Sequence, residues 1–99
     1  MDSEREKSEQ RIELNRQHLK EWNTNLALEI EVRFALIKKH EQENIRLYLE
    51  EINFHERATL AIRQARELDE LKHQDREGRI VTQKRQAQEK VALDQKLSY

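Results

Sequence analysis

From residue 1 to residue 77 the chain contains no glycine and no proline; Gly78 is its one glycine and proline is absent altogether. Compact folds turn the chain with Gly, Pro or Asn-Gly pairs. A sequence without them is left with long helix. Its commonest residues, Glu, Arg, Lys, Gln, Leu and Ala, lose little rotamer freedom in that conformation. The expected fold is all-α and extended, without a compact domain. One long helix would cover residues 1–77, with a kink allowed at 23–25. A break at 78–82 and a C-terminal helix at 83–97 would follow. At about 1.5 Å per residue, residues 4–77 alone would span roughly 110 Å.

Composition decides whether such a helix stands alone. Hydrophobic residues make up 35% and charged residues 39% of the 99 positions, against about 45–50% and about 25% in average domains. A chain this polar buries too little apolar surface by itself to offset the entropy lost on ordering. The expectation is therefore a helix completed by protein partners, with homo-oligomers among the options. Net charge is −1, from 19 basic and 20 acidic residues. That balance gives no electrostatic basis for nucleic-acid or membrane-surface binding. Cysteine is absent, which excludes disulfides and thiolate metal sites. No apolar run approaches the roughly 20 residues of a membrane span. The start is too polar for a signal peptide and too acidic for a transit peptide. These features together suggest an intracellular, soluble protein.

Large apolar residues are dense in two places only. Leu26, Leu28, Ile30, Val32, Phe34 and Leu36 alternate as a strand would. No hairpin turn and no second strand accompany them, and both flanks are helical, so helix is expected. Leu26, Ile30, Phe34 and Ile37 then share one face, while Leu28, Val32 and Leu36 share another. After a charged interval, Ile45, Tyr48, Leu49 and Ile52 restore the first face, with Leu47 and Phe54 opposite. A helix apolar nearly all round is a buried helix. A dimeric coiled coil needs only about two apolar residues in seven, so contact with more than one neighbour is implied. Ala58, Ala61 and Ala65, ending on Leu68, form a seam of small residues that lets a partner approach closely. Trp22 and Tyr48 are the candidate anchors, since large amphipathic aromatics dominate buried interfaces.

Three local features set the expected boundaries. Ser3 and Glu6 fit a capping box at the helix start. Trp22-Asn-Thr-Asn25 is a soft spot, because Asn and Thr compete with the helix for backbone bonds. Gly78, after Asp75-Arg-Glu77, fits the left-handed residue that closes a helix. No internal repeat is evident, and the heptad phase slips several times, which disfavours a uniform zipper.

Catalytic, cofactor and metal sites are not expected. One glycine cannot build a phosphate cradle. Ser3, Ser8 and Ser98 lie near the ends, where ordering is weakest. His18, His40, His55 and His73 are not spaced i, i+4, so no helical metal pair arises, and each is expected to be solvated or at an interface. The acidic pairs Glu41/Glu43 and Glu50/Glu51 do not face together on a helix.

Glu43-Asn-Ile-Arg-Leu-Tyr48-Leu-Glu-Glu51-Ile52 resembles a charged helical signature of small proteins bound to the microtubules of cilia and flagella. In that family an Arg-rich helix leads to a spaced Glu, then Tyr-x-x-Glu-Leu, often with a Gly after it. Tyr48, Glu51 and Ile52 match the core, and Arg33, Leu36 and Ile37 sit near the leading turn. Glu43 is off by one position, and Glu56 stands where the Gly would be. The likeness covers about a quarter of the chain. It implies a structural protein of the axoneme, on or inside the doublet wall, with tubulin as a partner. Two functions are therefore weighed. The first is a non-enzymatic helical component of a larger cytoskeletal assembly. The second is a self-associating coiled-coil adaptor or regulator.

Overall fold

The chain reverses at Glu50–Asn53, without glycine or proline. The computed structural model describes residues 3–98, Ser3 by its backbone alone. Two helices account for nearly all of them: α1, Ser3–Leu49, and α2, Phe54–Leu97. The Glu50 amide still donates to the Arg46 carbonyl at 3.0 Å. Glu51 then takes φ 49°, the left-handed conformation that ends helices. A non-glycine residue there costs roughly 1–2 kcal/mol. Asn53 starts the next helix, its side-chain oxygen accepting from the Glu56 amide at 2.9 Å. This is an N-cap, and such caps are worth about 1 kcal/mol.

The fold is all-α, with two features placed differently from expectation. The long helix ends at Leu49, not at residue 77, and α2 runs unbroken through Gly78 and residues 79–82. Gly78 has a negative φ and open space where a Cβ would be. Its helix-breaking cost, about 1 kcal/mol relative to Ala, is too small to end a helix well formed on both sides. At 23–25, where the sequence allows a kink, α1 continues without interruption. The Thr24 hydroxyl donates to the Lys20 carbonyl at 2.9 Å, so its polar group is satisfied within the helix. The Ser3–Glu6 capping box depends on the Ser3 side chain, which lies outside the described atoms.

The chain forms two units. Unit 1 joins residues 1–27 with 77–99, and unit 2 comprises residues 28–76. In each, a segment of α1 lies antiparallel to a segment of α2. Most of the residues turned inward follow one rule. On α1 the half-buried Leu14, Asn25, Leu36 and Leu47 step by eleven, and so do Leu60, Leu71, Thr82 and Leu93 on α2. The buried His18 and His40 are two such steps apart. Eleven residues in three turns give 3.67 per turn, close to the natural helix. The slipping heptad phase has this cause: the period is eleven, not seven.

Candidate functional site

Between the helices of each unit lies a polar layer built to one plan. In unit 2, His40 Nε2 meets Glu67 Oε2 at 3.2 Å. Arg63 donates to Glu67, one turn along α2, and to Glu43 across the seam. The Gln64 amide donates to the His40 carbonyl at 3.3 Å and to Glu43 at 3.4 Å. In unit 1, His18 Nε2 meets Glu89 Oε2 at 2.9 Å. Arg85 donates to Glu89 and to Glu21. The Gln86 amide donates to the His18 carbonyl at 3.1 Å and to Glu21 at 2.9 Å.

The correspondence is residue for residue. His18-x-x-Glu21 recurs as His40-x-x-Glu43, and Arg63-Gln-Ala-Arg-Glu67 recurs as Arg85-Gln-Ala-Gln-Glu89, each 22 positions on. Both His–Glu pairs have residue numbers that add to 107, so the register is the same in the two units. The sequence therefore does carry an internal repeat, contrary to expectation. It is hard to see because it consists of charged residues on two separated segments, and only the fold brings each pair together. Two of the four histidines are corrected with it, while His55 and His73 are exposed as expected. His18 and His40 are 6% and 7% exposed, the most deeply buried polar side chains among the described residues.

Electrostatics follow from these contacts. Glu67 and Glu89 are held below the ordinary carboxylate range, first by their histidines and then by their arginines. Glu21 and Glu43 are lowered chiefly by Arg85 and Arg63. Both arginines are pushed further up by their paired carboxylates. Other bonds differ between the units. Arg11 reaches Asp94 at 3.0 Å, and Arg33, 22 positions on, reaches Asp75 at 3.3 Å. Those two aspartates are not counterparts. Lys39 approaches Glu67 at 3.8 Å, where unit 1 has Gln17. The Nδ1 atom of His18 is buried and meets no partner.

The arrangement holds the two helices of each unit together. Among the described residues no group of three His, Asp or Glu is placed to hold a metal ion. Among the described residues no helix is long and apolar enough to cross a membrane.

The expected interface residues fall mainly on the outside. Ile30 and Phe34 are each 68% exposed. Leu28, Val32, Ile37, Ile45, Tyr48, Leu49 and Phe54 are exposed as well. Trp22, Leu26, Leu36, Ile52 and Ala58 are half-buried, and Ala61 and Ala65 are exposed. Part of this set converges in unit 2. Ile37, Ile45 and Tyr48 of α1 line one open groove with Ala61, Ala65 and Leu68 of α2. The matching groove of unit 1 holds Trp22 and Leu19, with Asn15, Gln83 and Lys90. Leu14 in unit 1 and Leu36 in unit 2 serve instead in the seams. No protein-family model, curated relative or solved structure matches the chain.

Proposed function

We propose that the chain is a non-enzymatic structural element that builds into a larger protein assembly. The observation that carries this reading is the exposure of Ile30 and Phe34 while the seams are filled by His, Glu, Gln and Leu. The helices meet through one set of residues and leave the large apolar set outside. Contiguous exposed apolar surface marks interaction sites. Within that class a cytoskeletal filament is the favoured assembly, and the axonemal microtubule, with tubulin as the contact, is the specific case. The likeness around Tyr48, Glu51 and Ile52 supports it. Tyr48 is 86% exposed and Glu51 forms the turn, so this stretch is displayed at one end of unit 2. The location that goes with this reading is the cytoplasm or a cilium.

The test is incorporation of a tagged chain into axonemes. Ile30→Asp with Phe34→Asp should abolish incorporation while far-UV circular dichroism stays helical, because neither side chain lies in the seam. Unchanged incorporation would sink the reading. An adaptor that takes partners helix-in-groove is the second reading, favoured by the groove of Ile37, Tyr48 and Ala61. Recovery of the chain with soluble partners, and none with filaments, would select it.

A further inference from the structure

We propose that the groove of unit 2 seats a second copy of this chain. The product is a two-fold dimer in which α1 of each copy lies over α2 of the other, with both turns at the same end.

The argument rests on what the two walls of the groove are made of. The α1 wall is bulky: Ile37, Ile45 and Tyr48 are 49%, 54% and 86% exposed. The α2 wall is low, with Ala61 and Ala65. A two-fold interface must be complementary to itself, residue i meeting j while j meets i. A face that carries its own bulge and its own hollow side by side meets that condition. The symmetry axis must then run along the helices, because only that axis sets α1 above α2 of the other copy at the same level. By the register of the His40–Glu67 pair, Ile45 stands level with residue 62 of α2. In the dimer it therefore drops between Ala61 and Ala65 of the second copy. An axis across the helices would set Ile45 and Tyr48 against their own copies and leave alanine facing alanine, with voids that forfeit dispersion contacts.

Glu41, the one carboxylate lining the groove, is exposed and, by the same register, stands level with Arg66 of the second copy. Formation of the dimer does not depend on which larger assembly takes up the chain.

Unit 1 supplies the test. Its groove carries Asn15, Gln83 and Lys90 at the positions that correspond, 22 residues away, to Ile37, Ala61 and Leu68. The triple variant Ile37→Asn, Ala61→Gln, Leu68→Lys transfers those three residues to unit 2 and leaves its layer of His, Glu, Arg and Gln unchanged. Sedimentation equilibrium of the purified full chain should show about 24 kDa, twice the 12.1 kDa monomer. The triple variant should weaken association at least 100-fold with unchanged helicity. Should it lose helicity, the single variant Tyr48→Lys replaces it, since Tyr48 is almost wholly outside the fold. Because the chain has no cysteine, a spin label on Glu50→Cys reports the arrangement alone. Same-end turns place two labels about 20 Å apart, two interhelical spacings. Opposite-end turns place them at least about 30 Å apart, the length of a 22-residue helical segment. A wild-type chain that stays at 12.1 kDa, a dimer that survives the substitutions, or labels at the longer distance would each overturn the proposal. Incorporation into filaments is read separately, so failure here leaves the assembly reading standing or falling on its own test.

Discussion

Units 1 and 2 share one seam and differ in what surrounds it. Both have the layer of His, two Glu, Arg and Gln, at the same register. Around it unit 2 places Ile37, Ile45 and Tyr48, while unit 1 places Asn15, Gln83 and Lys90 beside Leu19 and Trp22. The repeated part does the folding, and the divergent part is where the two units acquire different surfaces. Such a division lets one pairing scheme carry two different outer faces.

The seam leucines break the comparison most strongly. Leu36 and Leu71 stand at one level of unit 2, their numbers adding to 107, and Leu14 and Leu93 do the same in unit 1. Leu36→Ala should lower stability by about 2–3 kcal/mol, the low end for leucine truncation because the site is half-buried. Leu14→Ala should cost less, since helix ends fray. Denaturant unfolding of the two variants measures the difference, and equal losses would show that the units unfold as one body.

A smaller change sharpens the reading of α2. Gly78→Ala should raise stability by about 1 kcal/mol, the helix-propensity difference, because nothing lies within 4 Å of the added Cβ. A destabilised variant would return the break to Gly78. Thermal melting followed by circular dichroism decides between them.

The smallest effect is the one acid brings out. Glu21, Glu43, Glu67 and Glu89 have folded-state values below their unfolded ones. Their contribution is therefore complete above the unfolded carboxylate value, about 4.3, and is lost as pH falls through the depressed native values. The melting temperature should therefore fall as pH drops below about 4. Lys39→Gln copies Gln17 of unit 1 and removes a cation that lowers Glu67. The Glu67 carboxyl should then titrate higher in an NMR titration, with Glu89 unmoved.

Helicity was legible in the sequence, and the reversal of the chain was not. Freedom from glycine and proline up to Gly78 implies helix, and the helical flanks of Leu26 to Leu36 outweigh the alternation within it. The turn escaped because its left-handed residue is Glu51, where glycine is the usual signal. Asn53 and Glu56 carried the N-cap pattern all the same. Gly78 drew attention to the wrong place, since a single glycine costs a long helix little. Most of the seam was hidden for a different reason. Apolar periodicity finds cores made of apolar residues, and here more than half the inward positions are polar or charged. Those residues read as solvated decoration until Arg63 and Arg85 are seen reaching across to Glu43 and Glu21.

The eleven-residue step also fixes how this chain tolerates insertion and deletion. Losing one residue of α1 between His18 and His40 would rotate everything beyond it by about 100°. His40 could then face Glu67 only if His18 gave up Glu89. Lengthening or shortening is neutral only when both helices change together, by eleven or by 22 residues, so that every layer meets its old counterpart. Length in this molecule is quantised, in increments of about 16 Å per eleven residues. A homologous hairpin of different size should differ from it by whole steps.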